Sequence, residues 1–228
     1  MIARHIRPFA LGFLAIAACG RRASDATLAD AQRSVSTSTT VPASPFFEVL
    51  GHHAENAYDQ VKLSDWGAAR VSVDSIAAAM RTLQAPDTVN QSAELRASLA
   101  SLDTAVTGHS RTQGLRDANY LTKLGAILSV GHRTVVPADV TMLDYYGREL
   151  EIWAEARDNA KLAQTASAIK QTWEELRPGV IERGGAAQAL RFDSVVARVT
   201  SARTPAQYEK TATPVLDQVD VLEAVFTK

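Results

Sequence analysis

TPAQYEKTATPVLDQVDVLEAVF, residues 204–226, carries both the punctuation and the period of a helix. Thr204 stands at the N-cap with Pro205 at the first helical position, where its missing N–H costs nothing. Gln207 follows three residues after the cap, the spacing at which its side chain can bond back to the Thr204 N–H as a capping box. Ala212, Val215, Val219, Leu222 and Phe226 then recur at intervals of three and four, which lays them along one face. Pro214 is expected to kink or restart this helix, with Thr213 able to cap the restart. Asp217 and Asp220 fall off the apolar stripe and are expected to be exposed.

The same grammar recurs upstream. Ser44-Pro45 repeats the cap-then-proline pattern, and Leu95, Leu99, Leu102 and Val106 repeat the period. No window shows a period of two bounded by hairpin turns, so no strand is expected. The pattern predicts eight helices, over 45–62, 65–84, 92–107, 112–130, 138–157, 159–177, 186–202 and 205–227. The fold class is therefore all-α. At an offset of 93, Leu50 falls on Leu143, His53 on Tyr146, Asp65 on Asp158 and Ile76 on Ile169, while helix three needs 90, pairing Asp103 with Asp193. This suggests a duplication: helical unit 1 over 45–131 and helical unit 2 over 137–228, each with up-down order because the connections are short.

The 228 residues are 46% hydrophobic and 21% charged, with 24 Lys+Arg against 25 Asp+Glu, a globular composition without the basic excess of a nucleic-acid binder. One cysteine excludes an intrachain disulfide framework and a Cys-rich zinc site. That cysteine ends the leader MIARHIRPFALGFLAIAAC. Arg4 and Arg7 form a positive n-region, and Phe9 to Ala18 is an apolar run of about ten residues, against roughly twenty needed to span a bilayer. Ile16-Ala17-Ala18-Cys19 resembles the lipobox of bacterial lipoproteins. The resemblance covers the leader alone. It implies a signal peptide over 1–18, a diacylglycerol on Cys19, and an envelope location. Gly20, in place of the aspartate that marks inner-membrane retention in that class, implies, for a source with two membranes, the outer membrane on its periplasmic side rather than the inner membrane. Residues 19–44 are Ser/Thr-rich and read as a flexible tether with an end-to-end reach of roughly 25–30 Å.

Candidate chemistry is sparse. His52-His53-Ala54-Glu55 is the densest cluster, and His52 and Glu55 share a helix face. His52, His53 and Glu55 are thus the candidate metal ligands, although one turn of one helix does not complete a site. Helical phase puts His53 on an inward stripe with Phe46, Leu50 and Ala57, where it is expected to hydrogen-bond across the bundle. It leaves His52 and Glu55 on a polar, solvated side. His109 and His132 lie about 30 Å apart at 1.5 Å per residue and cannot share a site. Ser167-Ala-Ile-Lys170 spells a penicillin-binding SxxK without its companion SDN and KTG elements. Glu149, Glu151, Glu155, Glu174 and Arg148 read as a solvated, charge-laced face. Trp66, Trp153 and Trp173 are expected to pack the bundle.

These features lead to a lipid-anchored, non-enzymatic helical module acting on a protein or small-molecule partner, held at the membrane through Cys19, with no nucleic acid and no required cofactor. The alternatives are a metal or haem carrier built on His52, His53 and Glu55, and an envelope enzyme.

Overall fold

In the computed structural model, residues 45–81, 89–130, 132 and 134–227 are described. The leader, Cys19 and the tether lie outside them. The described residues hold eight helices and no strand: α1 (Pro45–Lys62), α2 (Trp66–Arg81), α3 (Val89–Thr107), α4 (Arg111–Ser129), α5 (Ala138–Glu155), α6 (Asn159–Glu182), α7 (Ala186–Ser201) and α8 (Pro205–Phe226). None of them is long and apolar enough to cross a membrane.

Local chemistry places the boundaries. The Thr204 side chain accepts from Gln207 N, and Gln207 closes the box on the Thr204 N–H. Asp158 caps α6 by accepting from Lys161 N at 3.0 Å. Neither proline inside a helix ends its element. The helix expected to stop at residue 177 continues through Pro178 to Glu182, and α8 runs through Pro214 as one element. A proline removes one N–H and frees the carbonyl four residues back, Glu174 and Lys210 here. Both residues are exposed, and Val180, Val215 and Val219 hold the far sides of the two helices in the core.

Packing contacts close into two rings. α1 meets α2 and α4, with α3 between them; α5 meets α6 and α8, with α7 between them. One apolar cluster lies inside each ring. Leu50, Tyr58, Ile76, Leu95, Leu102 and Leu121 belong to the first, and Leu143, Leu150, Leu162, Ile169, Phe192 and Val215 to the second. The rings join where α4 packs on α5, and Ile152 of α5 reaches into the first cluster. Gly147 permits the close approach of α5 and α8: a Cβ there would stand 2.6 Å from Leu216 Cδ2 and 3.2 Å from Val215 Cγ1.

The first turns of the two rings match atom for atom. Ser64 and Arg157 both take the left-handed conformation, at φ 60° and 55°. Asp65 N bonds to Gln60 O at 2.8 Å, and Asp158 N to Trp153 O at 3.0 Å. Asp65 Oδ1 then accepts from Ala68 N, as Asp158 Oδ1 does from Lys161 N, both at 3.0 Å. One device thus reverses the chain twice: a left-handed residue to stop a helix, then an aspartate to cap the next.

Candidate functional site

Where the two rings meet, α1, α4, α5 and α8 leave a cleft of about 410 Å³. Phe47, Val135 and Val136 give it apolar walls, Ser129 and Thr141 add hydroxyls, and Glu48, His52, Glu55 and Glu223 line it with ionisable groups. No lysine or arginine is among its described lining residues. Gly51 opens onto it, since a Cβ at that position would meet nothing within 4 Å.

The carboxyls feel this environment. Burial pushes the Glu55 carboxyl above its ordinary range, and Asp59 and Asp220 add to the effect against the opposing pull of Arg148 and His52. Burial pushes Glu223 up to about 7, with Glu55 and then Asp220 reinforcing it and Arg148 opposing. Glu223, raised by burial and by Glu55, holds a proton near neutrality that an arriving cation would displace, and burial shifts Glu55 in the same direction.

Arg148, 7% exposed, is the cation behind this cleft, and it is already engaged. It is ion-paired with Asp144, itself 7% exposed, one helical turn away. Its guanidinium also lies 5.2 Å from the centre of the Tyr58 ring. The Tyr58 hydroxyl donates to Glu151 Oε2 at 2.9 Å, and Lys62 Nζ reaches the same carboxylate at 2.8 Å, which stitches α1 to α5. Burial and the neighbouring Glu151 carboxylate keep the Tyr58 hydroxyl protonated far above its usual range.

The residues nominated from the sequence divide. His52 and Glu55 both line the cleft, whereas His53 does not. His52 is exposed and its Nε2 accepts from Asn56 Nδ2 at 2.9 Å. His53 is half-buried with its ring 5.2 Å from that of His52, and burial lowers its pKa, with His52 adding to the effect. The hydrogen bond expected from His53 across the bundle is not formed among the described residues. Phe46, Leu50 and Ala57 of its expected stripe are buried. Glu55 corrects its expected place: it is half-buried, lines the cleft with Glu223 and lies near the buried Arg148 rather than on a solvated face. Arg148 is likewise removed from the solvated face assigned to it. Among the described residues no group of three or more His, Cys, Asp or Glu converges as a metal ion requires. His109 stacks on Trp66 at 5.0 Å, and His132 packs on Phe47 at 4.8 Å, well apart as the spacing requires. Ser167 and Lys170 are exposed, and Lys170 pairs with Glu174 at 3.5 Å.

Glu223 and Arg148 were missed. Glu223 sits off the α8 stripe like any surface carboxylate, and only the docking of α8 beside α1 makes it a neighbour of Glu55. Compared with known proteins, the chain matches no family model, no curated protein and no solved structure.

Proposed function

We propose that the chain is a non-enzymatic helical binding module, carried on the bacterial envelope by a lipid on Cys19 and a tether over residues 20–44, and that its cleft takes a small ligand bearing a protonated amine. The observation that carries the binding reading is the cleft itself: Glu55 and Glu223 crowd one cavity of ligand size whose described lining holds no counter-cation. An ammonium group placed there relieves the repulsion between the carboxyls and recovers charge-assisted hydrogen bonds in a partly dry site, while Phe47, Val135 and Val136 cover the ligand's apolar part. The leader supports the envelope location, since its charge, its short apolar run and the sole cysteine coincide.

Calorimetric titration of the full chain in detergent with benzylamine tests the binding reading. Saturable one-to-one binding that weakens about tenfold or more in Glu55→Gln or Glu223→Gln supports it, the loss expected for one charged hydrogen bond. Absence of binding, or equal binding of uncharged benzyl alcohol, contradicts it. For the anchor, Cys19→Ala is expected to move the chain to the soluble fraction and abolish labelling by a fatty-acid analogue. Unchanged membrane retention would contradict the lipid reading.

A further inference from the structure

We propose that a second groove, between α4, α5 and α6, binds a small aromatic anion. The groove holds about 350 Å³, and its walls combine cations with aromatic rings. Arg116 lies with its guanidinium carbon 4.8 Å from the centre of the Trp153 ring, and Lys161 Nζ lies 5.8 Å from the same ring. Lys123 Nζ stands 5.9 Å from the Tyr120 ring and 5.5 Å from that of Tyr145. Aromatic faces hold these cations in position along the groove.

The two carboxylates of the groove each accept from two neutral donors. Asp117 accepts from Ser101 Oγ at 2.6 Å and from Gln113 Nε2 at 2.8 Å. Glu149 accepts from Trp153 Nε1 at 2.6 Å and from Asn119 Nδ2 at 2.9 Å. Three cations against two carboxylates leave the lining net positive, the reverse of the acidic cleft. A carboxylate or phosphate meets Arg116 and Lys161 there, and a flat ring meets the tyrosines and Trp153, so a ligand with both is selected over one with either.

Titration calorimetry on the full chain with phenyl phosphate and benzoate, against inorganic phosphate and benzamide, tests the assignment. Saturable binding of at least one aromatic anion is expected, with phosphate alone and neutral benzamide each about tenfold weaker or worse. Arg116→Gln and Lys161→Gln should each weaken the aromatic anion about tenfold, whereas Glu223→Gln, on the acidic cleft, should leave it unchanged. Lys161 is exposed, so its variant reports on binding even where Arg116→Gln disturbs the fold. No binding of either aromatic anion, equal binding of benzamide or inorganic phosphate, or indifference to Lys161→Gln would each overturn the proposal.

Discussion

The acidic cleft and the cationic groove lie on two sides of one helix. At 100° per residue, Arg116, Tyr120 and Lys123 share one face of α4, while Gly125 and Ser129 project from the opposite side. A chain with 24 basic and 25 acidic side chains has no net field to speak of, yet it separates charge locally. The two sites also manage charge differently. In the cleft, burial first and neighbouring acidic groups second raise the carboxyls of Glu55 and Glu223. In the groove, each cation rests on a ring and each carboxylate is satisfied by N–H or O–H donors. The lesson is that charge balance over a whole chain says little about its sites; the helix face is the unit that matters.

Removing the cation behind the cleft is the harshest way to break this contrast. Arg148→Ala strands Asp144 in the interior and removes the charge opposing the rise of Glu55 and Glu223, and should cost about 3–5 kcal/mol in urea unfolding. The double variant Asp144→Asn, Arg148→Met should recover most of that loss. Next in size, Gly147→Ala drives a Cβ against Leu216 and Val215 where α5 meets α8, with an expected loss of about 1–3 kcal/mol. It perturbs the second ring and should spare the groove wall built from α4.

The protonation contrast has a definite sign. A carboxyl raised in the folded chain binds its proton more tightly folded than unfolded, so its ionisation opposes folding. The contribution is fully favourable below the ordinary glutamate range and is lost as pH rises toward about 7, the value for Glu223. Glu223→Gln should therefore match the wild type at pH 4 and exceed it at pH 8 by about 1 kcal/mol once solvent screening is allowed for, or roughly 2–4 °C in thermal melting. Smallest of all, Ser167→Ala should change stability by less than about 0.5 kcal/mol and binding not at all, since the SxxK spelling lies on exposed surface.

The helices were legible because each needs only its own residues: the Thr204–Gln207 box, the Asp158 cap and the three-four period of α8 are local facts. Pro178 misled because a proline need not end a helix when the residue whose carbonyl it frees, here Glu174, lies on the exposed side. The cleft was half legible. His52 and Glu55 stood out as a pair on one turn, but the residues that give Glu55 its character arrive from α5 and α8. Nothing local distinguishes Arg148 from Arg157, or Glu223 from Asp217; burial between rings is a property of the docked fold. The groove hid for the same reason, its cations and aromatics being scattered over three helices.

The most direct test of the account is the proton balance of amine binding at pH 7. Benzylamine titrated into the full chain in two buffers of different ionisation enthalpy reports protons released per ligand. Displacement of the proton held by Glu223 predicts release of a measurable fraction of a proton, abolished in the Glu223→Gln variant. Binding with identical heats in both buffers, or no binding, would contradict the assignment of the cleft.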